Sequence, residues 1–134
     1  MLKFLIGRGP AFKNAFNGLK HVLLSQHNAR IHLMATILVV ILGLLLELQK
    51  IDWAFITIAI GLVWISEIFN TSLEALVDLT VNQYHPLARI AKDTGAAAVL
   101  VASIVSLILG LMIFLPRILN WLAQHKLFGL QEII

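Results

Sequence analysis

Charged residues are scarce in this chain, and cysteine is absent. Asp, Glu, Lys and Arg make up 13% of the 134 residues, about half of their usual share in soluble globular domains. The lack of cysteine excludes disulfides, thiolate metal sites and cysteine nucleophiles. A formal net charge of +3 is too small to indicate nucleic-acid binding. Hydrophobic residues make up 60% of the chain, more than a small soluble domain can hide from water. The composition therefore excludes an ordinary cytosolic enzyme and indicates a small, single-domain integral membrane protein.

Long apolar runs dominate the chain, and a bilayer crossing takes about 20 helical residues. We predict transmembrane helices at 31–50, 52–79 and 94–116. Residues 11–30 carry apolar side chains at helical spacing with polar ones between them. We interpret this segment as an amphipathic helix lying on the membrane surface, with packing against a partner as the alternative. The tail, 117–134, is a candidate for a second surface segment. The predicted fold is an all-α membrane protein with an N-terminal amphipathic surface helix plus three transmembrane helices.

Lys and Arg are distributed unevenly around the predicted spans. Of the ten in the chain, seven, including Lys3 and Arg8, precede the first span or lie between the second and third. The other three lie on the opposite side. Because basic loops favour the cytoplasm, we predict a cytoplasmic N-terminus and several passes across the membrane.

Three carboxylates and an amide follow one stripe of the second predicted span. At about 100° per residue, Glu67, Asn70, Glu74 and Asp78 fall within an arc of ~80°. Neighbouring like charges repel, and carrying them into a low-dielectric region is costly unless a positive group compensates. Oxygen ligands of this kind suit Mg²⁺, which usually also keeps water and a substrate phosphate in its shell. A metal site explains this stripe better than polar contacts between helices do.

Two further features lie near this stripe and along the third span. Lys92 and Asp93 stand where the third span begins, and a lysine there can pair with phosphate. Taken alone, Lys92 could equally be an interface anchor and Asp93 a helix cap. A stripe of small residues in the third span predicts close helix packing and an oligomer. It consists of Ala98, Ala102, Ser106 and Gly110.

The acidic stripe belongs to a longer pattern that resembles the prokaryotic diacylglycerol kinase family, which includes the undecaprenol kinases. Residues 67–78 read EIFNTSLEALVD, 84–88 read YHPLA, and 91–93 read AKD. The similarity extends over about residues 11–116, with AFK at 11–13 and NARIH at 28–32.

The resemblance implies a homotrimer whose active sites lie at subunit interfaces near the cytoplasmic surface. It implies transfer of the ATP γ-phosphate to a lipid hydroxyl with Mg²⁺ as cofactor. By motif position, Glu67 is expected to be the catalytic base and Glu74 a metal ligand. The expected nucleotide-binding residues are Asn14, Asn70, Gln83, Tyr84, His85, Lys92 and Asp93.

One position departs from the family pattern. Many members have Glu as a second metal ligand just before the N-x-R-I-H run, where this chain has Gln26. An amide still offers an oxygen, so we keep Gln26 as a metal candidate with one negative charge fewer.

We therefore predict an ATP-dependent kinase of a membrane lipid alcohol, either undecaprenol or diacylglycerol, with a slight preference for undecaprenol. The alternative is a small cation- or proton-coupled transporter that uses the intramembrane carboxylates Glu67 and Glu74. That alternative leaves Lys92 and Asp93 without a role.

Overall fold

The structure, a computed structural model, describes residues 9–81 and 83–131, with side chains up to 123. Lys3 and Arg8, which entered the charge count, lie outside the described residues. Within these ranges the chain forms four α-helices. They are α1 (Gly9–Ser25), α2 (His27–Leu45), α3 (Lys50–Thr80) and α4 (Pro86–Gln131).

The last three helices are long and apolar enough to cross a membrane. They leave many large apolar side chains uncovered, such as Leu107 and Met112 on α4, which are 63% and 70% exposed. A soluble monomer rarely shows apolar patches of this extent, so these faces suit lipid or another protein surface. The prediction of an all-α protein with three helices able to span a membrane is confirmed.

Short connections make α3 the antiparallel neighbour of both α2 and α4. Polar contacts join α3 and α4. Asp78 pairs with Lys92 at one end, and Asp52 pairs with Arg117 at the other. Between them, Ser106 Oγ donates to the Ala59 carbonyl (2.9 Å). Between α2 and α3, Trp64 Nε1 donates to Thr36 Oγ1 (3.2 Å). These bonds set the register of the three helices along most of their length.

An apolar core closes the end of the bundle where α2 turns into α3. Leu48, Ile56, Ile113 and Phe114 are buried together there. Gly43 allows Trp53 to pack against this core, because a Cβ at position 43 would lie 2.8 Å from the Trp53 ring. Beside the core, Asp52 Oδ2 accepts the Gln49 backbone N–H (3.0 Å) and the guanidinium of Arg117. A hydrogen bond and an ion pair therefore hold the first turn of α3 in place.

α4 continues past Pro116 to Gln131. Proline cannot donate a backbone hydrogen bond, but membrane helices tolerate it where nearby groups compensate. Arg117 Nη1 donates to the Ile113 carbonyl (3.0 Å) in the same turn. This contact does not replace the missing backbone bond, because the acceptor that residue 116 would have used is the carbonyl of Met112.

α1 turns back onto the start of α2 and the polar end of α3. Val22 is its buried contact residue. Arg30 on α2 donates from Nε to the carbonyl of Leu23 (3.2 Å), holding the end of α1. Gln26, between the two helices, has an extended backbone with φ −97° and ψ 123°. This geometry directs the Gln26 side chain toward α3.

Candidate active site

Glu67 is the most deeply buried charged residue of the described chain. It lies on α3 at 1% exposure. In the described residues its Oε2 has no hydrogen-bond partner, although His32 Nε2 on α2 lies 3.9 Å away. Burying a carboxylate in this way costs free energy, and the unpaired oxygen does not contribute to the stability of the fold. A reactive group that must stay free to accept a proton would have this environment.

Glu74 lies two turns further along α3 and is held by two amides. Gln26 Nε2 donates to its Oε2 (3.0 Å), and Asn70 Nδ2 donates to its Oε1 (3.0 Å). Both carboxylate oxygens are therefore oriented by neutral donors, one from the α1–α2 junction and one from α3 itself. We call Gln26, Asn70 and Glu74 the amide–carboxylate cluster.

Asn70 connects this cluster to α4. Its side-chain oxygen Oδ1 is buried and has no partner among the described residues. It faces Gly95, where an added Cβ would lie only 2.6 Å away. A glycine is therefore required for α4 to pass this close to Asn70.

Asp78 and Lys92 form an ion pair at the same end of the bundle, with Asp78 Oδ1 2.8 Å from Lys92 Nζ. Both side chains are solvent-accessible, at 67% and 39% exposure. Asp93 is also exposed and lies 3.5 Å from Arg89 on its own helix. Exposed pairs like these contribute little to stability, so both cations remain free to pair with a phosphate.

The remaining predicted site residues lie apart from the cluster. Asn14 is exposed on α1, and Gln83 and Tyr84 are exposed in the connection from α3 to α4. His85 Nδ1 accepts the backbone N–H of Leu87 (3.2 Å), a local contact at the start of α4. In the described part of the chain, no hydrogen bond or ion pair joins these four to Glu67 or Glu74.

His32 was not assigned a role by sequence reasoning. Its position in the N-x-R-I-H run was the available signal, but nothing in the sequence indicated that it would face Glu67. Its Nε2 is buried and has no hydrogen-bond partner within the described residues.

The donor atoms of this region fit a hard cation. Within the described chain, no group of three or more His, Asp or Glu side chains could hold a metal. Mg²⁺ needs less than that from a protein, since it usually takes one or two carboxylates and fills its shell with water and substrate phosphate. The Glu74 carboxylate is an oxygen donor of the right kind, whereas Asn70 Oδ1 faces Gly95. The Gln26 side chain would offer its oxygen to a metal beside Glu74 if its amide group flipped.

An apolar cavity of about 380 Å³ lies between α2, α3 and α4. His32 and Val63 line it at the end nearest Glu67, and Leu42 and Phe114 line it at the other. Glu67 does not line the cavity itself, but its neighbour His32 does.

Comparison with known proteins agrees with this architecture. The family model for prokaryotic diacylglycerol kinase matches residues 13–114. The undecaprenol kinase of Bacillus subtilis is 40% identical over 108 residues, which is 81% of this chain and 88% of that protein. The diacylglycerol kinase of Synechocystis is 42% identical over 111 residues, 82% of this chain and 63% of that protein. The diacylglycerol kinase of Escherichia coli K12 is 35% identical over 94 residues, 70% of this chain and 77% of that protein.

The matched region begins inside α1, contains α2 and α3, and ends in α4 two residues before Pro116. It includes Glu67, the amide–carboxylate cluster and the Asp78–Lys92 pair. The resemblance predicted from the sequence is confirmed: the chain belongs to the prokaryotic diacylglycerol kinase family, and it is a lipid kinase.

Proposed function

We propose that this chain transfers the γ-phosphate of ATP to the hydroxyl of a membrane lipid alcohol at the cytoplasmic face of the bacterial inner membrane. One observation carries the proposal: the buried Glu67 carboxylate, with a free oxygen, lies on the same helix as the amide–carboxylate cluster. Phosphoryl transfer needs a group to orient the attacking hydroxyl and a separate group to neutralise phosphate. These two parts of α3 can supply both.

Glu67 is the proposed catalytic base. A carboxylate with an unpartnered oxygen can accept the hydroxyl proton as the lipid oxygen attacks phosphorus. Its burial keeps bulk water away, so the lipid rather than water receives the phosphate.

Glu74 is the proposed metal ligand, with the oxygen of Gln26 as a further candidate. Bound Mg²⁺ would neutralise the phosphates of ATP and align them for transfer. Until then the two amides donate to Glu74 and keep its carboxylate in one orientation.

Nucleotide binding is proposed for the exposed residues at this end of the bundle. Lys92 would exchange its contact with Asp78 for an ATP phosphate, since Lys pairs with phosphate as a point charge. The proposed set also contains Asp93, Asn70 and the exposed residues of α1 and of the α3–α4 connection. The latter are Asn14, Gln83, Tyr84 and His85.

The acceptor is proposed to be undecaprenol, with diacylglycerol as the second candidate. The cavity between α2, α3 and α4 supports a lipid acceptor, because its largely apolar walls suit hydrocarbon and include His32, the neighbour of Glu67. The similarity to an undecaprenol kinase over 88% of that protein supports the first choice. The transporter alternative is not favoured, because the matched family and relatives are kinases.

We further propose a homotrimer with cytoplasmic N-termini. The uncovered apolar faces of the long helices support association with other copies as well as with lipid. α1 is proposed to lie on the membrane surface, since Phe12 and Phe16 are 66% and 69% exposed. The spans 52–79 and 94–116 stay predictions that lie within the longer helices α3 and α4. The span 31–50 also stays a prediction, but α2 covers it only as far as Leu45, and Lys50 already belongs to α3.

The test is a transfer assay with the purified full chain in mixed micelles, using radiolabelled ATP and either undecaprenol or diacylglycerol. We expect labelled lipid, and we expect Glu67→Gln to lower turnover by about 100-fold or more. Glu47→Gln is the matched control, because Glu47 is exposed in the α2–α3 connection at the other end of the bundle. Transfer to neither lipid contradicts the function, whereas normal turnover of Glu67→Gln removes only the base role.

A further inference from the structure

Two buried polar atoms without partners face each other between α2 and α3. They are His32 Nε2 and Glu67 Oε2, 3.9 Å apart, on side chains that are 17% and 2% exposed. We infer that His32 is a positioning residue for Glu67: its Nε2–H holds Oε2 and leaves the other carboxylate oxygen to receive the lipid proton. This inference rests on the proposed role of Glu67 as base.

The geometry needs only a small adjustment to form the bond. An N–H···O hydrogen bond spans about 2.9 Å, so closing the gap requires a movement of about 1 Å. Either the neutral imidazole with its proton on Nε2 or the charged ring can donate. Both atoms gain a partner from a single contact.

The surrounding contacts hold His32 where it can act. Thr36 Oγ1 donates to the His32 carbonyl (2.7 Å) and accepts from Trp64 Nε1 on α3 (3.2 Å). The first bond lies within α2, and the second fixes α2 against α3 one turn beyond His32. The hydroxyl of Thr36 is thereby occupied and does not compete for Glu67.

Glu67 has few other groups to orient it. Among the described residues, His32 is the one basic side chain within ion-pair distance of its carboxylate. The hydroxyl of Thr71, one turn away, donates to the backbone carbonyl of Glu67 (2.9 Å) and not to its carboxylate.

His32 also lines the apolar cavity at the end nearest Glu67. A hydroxyl at this end of the cavity would lie beside the imidazole, whose Nε2 is 3.9 Å from the Glu67 carboxylate. Holding one oxygen therefore fixes the direction of the other relative to the incoming hydroxyl, and errors of about 1 Å in such a geometry can cost 100-fold in rate. The expected contribution of His32 is to turnover and not to substrate affinity.

Two amide substitutions separate this role from simple packing. His32→Gln places an amide N–H near the former position of Nε2, whereas His32→Asn, one methylene shorter, reaches only the position of Nδ1. Both keep a polar, planar side chain, so a general effect on folding should appear in both. His21→Asn is the control, since His21 is an exposed residue of α1.

The experiment measures kcat, both KM values and thermal unfolding for the full chain in micelles, with undecaprenol and with diacylglycerol. We expect His32→Asn to lower kcat by about 10- to 100-fold with both KM values unchanged. His32→Gln should recover most of the loss, and His21→Asn should behave as wild type. In a Glu67→Gln background, His32→Asn should cause no further loss, because the group it positions is gone.

Each result has a distinct meaning. Normal turnover of His32→Asn beside an inactive Glu67→Gln overturns the inference and leaves the base role standing. Equal losses in the Asn and Gln variants, or an additive loss in the double variant, overturn it as well. Normal turnover of Glu67→Gln overturns the base role, and the positioning role of His32 falls with it.

Discussion

Gly95 on α4 leaves the space that the Asn70 side chain of α3 occupies. A Cβ on Gly95 would lie 2.6 Å from Asn70 Oδ1 and 3.0 Å from Leu73 Cδ2. The first separation is shorter than atoms in contact can tolerate, so any side chain at Gly95 must displace Asn70 or α4. Asn70 in turn donates to Glu74, and the helix contact therefore bears directly on the proposed metal ligand.

Gly95→Ala is expected to lower both activity and stability. Overpacking of this kind costs about 1–3 kcal/mol, which outweighs the ~0.5–1 kcal/mol that alanine gains over glycine in a helix. Turnover and thermal unfolding in micelles would measure the two effects. Gly61→Ala is the matched control, because no atom lies within 4 Å of its added Cβ. Identical behaviour of the two variants would contradict the packing argument.

Gln26→Glu is expected to tighten Mg²⁺ binding. The variant replaces the amide that donates to Glu74 with a second carboxylate beside it, which attracts the cation but repels Glu74 in its absence. The Mg²⁺ concentration for half-maximal activity should fall, and a tenfold fall corresponds to about 1.4 kcal/mol. Stability without Mg²⁺ should drop and recover when Mg²⁺ is added.

The control for this substitution is Gln49→Glu, which adds the same charge at the start of α3, far from Glu74. It should leave the Mg²⁺ titration unchanged. If Gln26→Glu alters neither the titration nor the thermal stability, Gln26 is no metal ligand, and Glu74 remains as the ligand to test.

Asp52→Asn is expected to destabilise the opposite end of the bundle without changing kcat. Asp52 and Arg117 are 14% and 28% exposed, and Asp52 also accepts the Gln49 backbone N–H. Losing one partner of such a pair costs about 1–3 kcal/mol. Thermal unfolding would show the loss, and activity below the transition should match wild type. An unchanged unfolding temperature would mean that the pair contributes nothing.

The predicted orientation can be read from single cysteines, because the native chain has none. Asn17 on α1 and Asn120 on α4 are both exposed, so each can report on its side of the membrane. In intact cells, a membrane-impermeant thiol reagent should label Asn120→Cys and spare Asn17→Cys until the cells are opened. The reverse pattern would put the acidic end of α3 on the side without ATP.

The apolar helices could be predicted from the sequence because a bilayer crossing depends on length and composition alone. The family was predictable because its motifs are local runs of residues. The stripe on α3 shows where such reasoning stops. A helical wheel predicts which side of a helix a residue occupies but not how deeply its side chain is buried. Glu67 is buried, whereas Asp78, on the same stripe, is 67% exposed.

Contacts between distant residues were not predictable in the same way. The pairing of Asp52 with Arg117 joins residues 65 positions apart, and His32 meets Glu67 across two helices. Both depend on how each helix is rotated about its axis. Small residues such as Gly43 and Gly95 set that rotation through close contacts, and periodicity within one helix carries no information about it.

α3 also measures depth in the membrane. The Asp52–Arg117 pair marks one end, and with a rise of about 1.5 Å per residue, Glu67 lies about 22 Å and Glu74 about 33 Å further along the helix. A hydrocarbon layer is about 30 Å thick, so an upright α3 holds Glu67 just inside the far boundary and Glu74 just outside it. For the proposed transfer, an acceptor must therefore carry its hydroxyl at the level of Glu67, whatever the length of its tail. A thicker or thinner bilayer would change the depth of that level relative to the lipid headgroups.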